Sequence, residues 1–228
     1  MDIQIEQVKA ILFDIDGTLS DSDDLLVQKV ERVLKPFTFY FSQEKRRAFS
    51  RWLVMTAESP GNFIYNLADR FDLDSLFIRT LNRLSMKKKR RIKRYRIIPG
   101  STELLTQLSG TYPLGVVSAR DEISAMAFIK HFDLEKHFCV IVTSQTCRYT
   151  KPFPDPLLFA ADKLGIEPHN CLMVGDTTVD MKAAKLAGMQ AVGVLCGFGH
   201  KKELKRAGAD VILPATTDLL QLILSHNK

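Results

Sequence analysis

Residues Ala10–Leu19 read AILFDIDGTL. The apolar run from Ala10 to Phe13 predicts a buried strand, and two carboxylates follow it at Asp14 and Asp16. Residues two apart in an extended chain share a face, so a strand ending in Asp-x-Asp presents both acids on one side. Carboxylates held that close repel unless a cation or a proton lies between them. Gly17 permits a tight departure of the chain from the strand end. One acid could then attack while a divalent ion neutralises both that acid and an incoming phosphate. A plain acidic turn would show the same letters, so the rest of the chain has to decide.

Beyond Leu19 the pattern turns helical. Ser20, Asp21 and Ser22 are good N-cap residues, and Leu25, Leu26, Val30, Val33 and Leu34 recur at helical spacing up to Pro36. Ser42–Met55, a segment around Phe63–Phe71 and a segment from Ser75 predict three more helices. From Ser20 to about Ile97 there is no convincing strand, and Pro99-Gly100 closes the block. From there short apolar runs alternate with helical segments. Strands are predicted at Leu114–Val117, Phe138–Val142, Cys171–Val174, Ala191–Leu195 and Val211–Leu213. Helices are predicted at Ser101–Leu108, Asp121–Phe132, Pro154–Leu164, Thr178–Ala187, Lys201–Ala207 and Thr217–Ser225, with Ser101 as the N-cap of the first. Such alternation implies an α/β core, a Rossmann-like parallel sheet covered by helices on both faces. The core is expected from 1–19 and 98–228, with residues 20–97 inserted as an all-helical cap. That cap leaves and rejoins the chain at the carboxyl edge of the sheet and could serve as a lid.

At 228 residues and 46% hydrophobic composition the chain can bury a sizeable core. The first residues lack the pattern of a secretory signal, and no stretch approaches the ~20 apolar residues that span a bilayer. The four cysteines, Cys139, Cys147, Cys171 and Cys196, show no close pairing and read as free thiols of a reducing compartment, the cytoplasm. The net charge is +6, but Lys87–Arg96 (KKKRRIKRYR) carries eight basic residues and no acid. The remainder of the chain is therefore net acidic, which argues against a global nucleic-acid surface. The run reads as a solvated helix end, with steering of an anionic substrate as the functional alternative.

Three strands end in polar residues: Asp14 and Asp16, then Ser118, then Asp176. Parallel sheets bind ligands at that edge, where the strand order reverses. Taken singly, Ser118 reads as a helix N-cap, Asp176 as a turn or cap residue and Lys151 as a solvated loop lysine. Together they supply the parts of an acyl-phosphate reaction.

DIDGTL, the strand ending in VVSAR, KPFPDP and GDTTVD resemble, in order and spacing, the four motifs of the haloacid dehalogenase-like hydrolase superfamily. The inserted helices resemble the α-helical cap of its phosphoglycolate phosphatase and β-phosphoglucomutase group. The resemblance implies that Asp14 is the nucleophile and Asp16 the acid and base. It gives Ser118 and the Ala119 N–H to the phosphate oxygens and Lys151 to neutralising charge. Gly17 and Thr18 shape the loop. Mg²⁺ is implied as cofactor, bound by Asp14, the Asp16 backbone carbonyl and Asp176, with Asp180 holding the ion or its waters. An acid at Asp16 favours phosphoryl transfer over halide displacement. Two residues depart from the usual motifs. Ala119 follows Ser118 where relatives often have Asn or Ser, which leaves Arg120 as a substrate contact or as a solvent-facing residue at a helix start, and Thr150 stands where glycine is common. The expected function is a Mg²⁺-dependent phosphatase acting on a small phosphorylated metabolite, as a monomer or homodimer. A phosphomutase and a non-catalytic binding protein on the same fold are the alternatives. Substrate choice is expected from cap side chains, among them Arg46, Arg47, Arg51 and Trp52.

Overall fold

A computed structural model of the chain describes residues 3–21 and 95–226. The helices expected within 20–97, the basic run up to residue 94, and Arg46, Arg47, Arg51 and Trp52 lie outside the described residues.

The described residues form six strands: β1 (Ala10–Phe13), β2 (Leu114–Val117), β3 (Val140–Val142), β4 (Cys171–Gly175), β5 (Gln190–Val194) and β6 (Val211–Leu213). All neighbours pair in parallel, in the order β3-β2-β1-β4-β5-β6. The strand order reverses between β1 and β4. Such a reversal opens a crevice at the carboxyl edge, because the connections on either side run off in opposite directions. β1, the strand of the DIDGTL motif, lies at this point and is buried along its whole length.

Period-two alternation divides the β1 side chains between two cores. Ile11 and Phe13 pack with α1 (Ser101–Ser109), α2 (Glu122–His131) and α6 (Leu219–His226), through Leu104, Leu105, Phe128, Ile129, Leu219 and Ile223. Ala10 and Leu12 pack on the other face with α3 (Asp155–Leu164), α4 (Thr178–Leu186) and α5 (Lys201–Ala207), through Leu157, Ala160, Met181, Ala184 and Leu204. The result is a three-layer α/β core in which β1, β2 and β4 are buried on both faces, as continuous apolar strands require, and the edge strands β3 and β6 are partly exposed.

Element ends shift by a residue or two from the sequence reading. β3 begins at Val140, after a 3-10 turn at Glu135–His137. The last helix is preceded by a separate 3-10 turn at Thr216–Asp218. Ser101 is not the cap of α1. The left-handed Gly100 (φ 83°) occupies the cap position, and Ser101 is the first helical residue. No hydrogen-bond partner of its buried hydroxyl is found among the described residues.

The two chain crossings toward residues 22–94 lie side by side. Ile98 N–H donates to Leu19 C=O (2.9 Å) and Asp21 N–H to Arg96 C=O (3.0 Å). Ser20 and Ile97 form an antiparallel bridge at the same place. The outgoing and returning segments thus make a short ribbon next to the carboxyl edge.

Candidate active site

Four chain segments bring polar groups to the carboxyl edge. β1 delivers Asp14, whose N–H continues the ladder to Val174 C=O of β4 (3.0 Å). Ile15 then turns into the apolar core, so Asp14 and Asp16 stay on the other side. The turn that follows is tight. Ile15 C=O accepts from the N–H groups of Leu19 (2.9 Å) and Ser20 (2.7 Å), and Gly17 takes φ 72°. A Cβ at Gly17 would lie 2.2 Å from Asp176 Oδ2, so glycine serves two needs here: the left-handed backbone and the close approach.

β4 delivers Asp176, which is fully buried. Thr18 Oγ1 donates to its Oδ1 (3.3 Å) and Phe198 N–H to its Oδ2 (2.7 Å). A Cβ on Gly197 would stand 2.1 Å from Oδ2, so the loop after β5 closes over this carboxylate with no room for a side chain. The N-cap of α4 is Thr177, not Asp176. Asp180 completes a capping box, accepting from Thr177 N–H (3.0 Å) and Oγ1 (2.6 Å) through Oδ2. That commits one oxygen of Asp180 and aims the other at the site.

The loop between β3 and α3 delivers Lys151, a buried lysine. Its Nζ donates to Asp14 Oδ1 (2.8 Å), Asp180 Oδ1 (2.5 Å) and Val117 C=O (2.8 Å). Three acceptors satisfy the three ammonium protons, which is what a buried lysine needs to stay charged. Burial works against that charge, but Asp14 and Asp180 outweigh it and hold the ammonium above its ordinary range. Asp14 is pushed the other way. Burial, reinforced by Asp180 and Asp16 and only partly offset by Lys151, raises its carboxyl to about 7.

Asp14, Asp176 and Asp180 each offer a carboxylate oxygen, and these oxygens lie within 4.8 Å of one another. Three buried acids against one buried ammonium leave the cluster short of positive charge. Hard oxygen donors around such a deficit suit a small divalent cation.

β2 delivers Ser118, Ala119 and Arg120. Ser118 does not cap the next helix, because Asp121 does so by accepting from Ser124 N–H (2.9 Å). Ser118 Oγ instead accepts from Arg120 N–H (3.2 Å), and Ala119 is exposed at the edge. Arg120 does not face solvent, because its guanidinium grips Asp16. Nε donates to Oδ2 (2.6 Å) and Nη2 to Oδ1 (2.5 Å). It lies over the Phe128 ring at 5.1 Å.

Sequence reasoning named Asp14, Asp16, Ser118, Lys151, Asp176 and Asp180, and the fold brings them to one edge. It missed the Asp16–Arg120 pair and the Gly197–Phe198 lid on Asp176. The glycines flanking Phe198, directly after a predicted strand, were the available signal for the second.

The model of the haloacid dehalogenase-like hydrolase family matches residues 11–194. Phosphoglycolate phosphatase of Escherichia coli (strain K12) is 27% identical over 252 residues, covering 99% of this chain and 96% of the relative. Phosphoglycolate phosphatase of Nitrosococcus oceani is 27% identical over 231 residues, covering 96% and 98%. Among solved structures, a hydrolase from Pseudomonas syringae superposes with a TM-score of 0.69 at 27% identity, covering 95% of this chain and 98% of that one. The chain belongs to the haloacid dehalogenase-like hydrolase family.

Proposed function

We propose that this member of the family is a phosphatase that hydrolyses a small phosphorylated metabolite through an aspartyl-phosphate. The observation that carries the reading is the position of Lys151, whose ammonium bridges Asp14 and Asp180 at the reversal of strand order. The low-identity phosphoglycolate phosphatase relatives support the reaction class.

In this reading an oxygen of Asp14 attacks phosphorus and the bond from phosphorus to the leaving oxygen breaks. Asp16, protonated, gives its proton to the leaving alkoxide. Asp16, now ionised, takes a proton from water, whose oxygen attacks phosphorus and frees the Asp14 carboxylate. The Ser118 hydroxyl and the Ala119 N–H hold phosphate oxygens, and Lys151 balances the charge that gathers on them. Gly17 and Thr18 fix the loop against Asp176. Asp14, Asp176 and Asp180, with the Asp16 carbonyl, would hold Mg²⁺. The bound ion would supply electrostatic stabilisation of the transferring phosphoryl group. Residues 20–97 are proposed as a cap between core segments 1–19 and 98–228.

The test is release of inorganic phosphate from a broad panel of phosphorylated metabolites, with Mg²⁺ and with EDTA. Turnover of at least one phosphoester, lost in EDTA, is expected. A protein that turns over none of them would overturn the reading.

A further inference from the structure

Arg120 is fixed from several directions at once. Its backbone is held by Ser118 Oγ and by Ser144 N–H, which donates to Arg120 C=O at 2.9 Å. Its guanidinium lies on the Phe128 ring of α2 and donates from Nη2 to Ser20 Oγ (3.2 Å). The Ser20 hydroxyl donates in turn to Arg96 C=O (3.3 Å), so the same guanidinium is tied to both segments of the chain crossing. What this anchored group offers to the site is a planar fork that meets both oxygens of Asp16. A two-point contact fixes the plane of a carboxylate, which a single point charge does not. The Arg120 side chain is 12% exposed, against 24% for Asp16, so the pair stands at the lip of the crevice.

We propose that Arg120 is a positioning residue for Asp16, whose carboxylate its two-point contact holds in the plane from which it takes a proton from the attacking water. The inference rests on the reading of Asp16 as the base of the second step. It assigns Arg120 a role in breakdown of the phosphoenzyme and none in binding substrate. Through Ser20, that plane is set together with the position of the chain crossing.

The experiment uses p-nitrophenyl phosphate, whose leaving group departs without a proton donor, in rapid-mixing and steady-state runs with Mg²⁺. With Arg120→Met the burst of nitrophenolate is expected to stay within about twofold of the parent rate. The steady rate should fall about tenfold or more, by losing part of what a positioned base contributes. Acid-quenched protein should accumulate label as aspartyl-phosphate, with KM not raised. Arg120→Lys keeps the charge without the fork and is expected to leave the steady rate low. Should Arg120→Met fail to fold, Arg120→Lys and Arg120→Gln carry the same measurement. A burst and steady rate that fall together, a raised KM with kcat intact, an unchanged steady rate, or full rescue by lysine would each overturn the inference. Asp16→Asn tests the underlying reading separately. It should keep the burst and lose the steady rate more severely. If it turns over normally, the reading of Asp16 has failed. If it behaves as expected while Arg120→Met is silent, only the inference about Arg120 has failed.

Discussion

Lys151 and Asp14, 137 positions apart in the chain, form a buried 2.8 Å ion pair beneath the carboxyl edge of the sheet. Neither charge has solvent to fall back on: the Lys151 ammonium relies on Asp14 and Asp180, and both carboxylates rely on the ammonium. Removing one partner of a buried pair leaves the other uncompensated. Lys151→Met is therefore expected to lower the stability of the metal-free protein by about 3–5 kcal/mol. Chemical denaturation in EDTA measures this. An unchanged midpoint would show that Asp14 and Asp180 do not rely on the lysine.

Asp14→Asn acts in the opposite sense on stability. It removes the carboxyl that burial and two neighbouring acids oppose, while Lys151 retains Asp180. The variant is expected to fold with a metal-free thermal midpoint equal to or above that of the parent. Turnover should drop by roughly a thousandfold or more, as for loss of a nucleophile. Residual activity near the parent level would remove Asp14 from the role of nucleophile.

The raised carboxyl of Asp14 sets a pH dependence. Between its unfolded value of 3.8 and its folded value of about 7, the folded protein binds the proton that the unfolded chain has lost. The stability of the metal-free protein then falls as pH rises through that window and levels off above it. A divalent cation favours the ionised carboxylate, so stabilisation by Mg²⁺ should grow as pH rises toward 7. Thermal melts from pH 5 to 8 in EDTA and in Mg²⁺ test both trends. Asp14→Asn should remove this part of the slope, and an identical slope in that variant would contradict the assignment.

Gly197→Ala places a methyl group on the Asp176 carboxylate, 2.1 Å from Oδ2. Since Asp176 is also held by Thr18 and Phe198, the strain has to move the loop or the acid. The Mg²⁺ concentration for half-maximal activity is expected to rise about 10–100-fold, as when the supports of a ligand are disturbed. Gly110→Ala meets nothing closer than Gln107 C=O at 3.7 Å and serves as the control with unchanged kinetics.

The sheet was legible from the sequence because its strands are short apolar runs that alternate with helical patterns. The site residues were legible for a related reason: Asp14, Ser118 and Asp176 each close such a run. Lys151 reads only through its motif, since nothing local says that a loop lysine will be buried under β2. The Arg120–Asp16 pair joins residues 104 positions apart. It depends on β2 lying beside β1, which no local pattern encodes. Ser101 misled because serine at a helix start usually caps, whereas here Gly100 supplies the turn.

The ribbon formed by Leu19–Asp21 and Arg96–Ile98 has a consequence for how the chain accommodates change. Residues 22–94 leave and rejoin the described core at two ends that are hydrogen-bonded to each other. The entropy of closing that span depends on its length only logarithmically, at about 0.6 kcal/mol per doubling. By that measure a change of length between the two ends costs the sheet little, and the carboxyl edge keeps its geometry while the intervening sequence diverges in size.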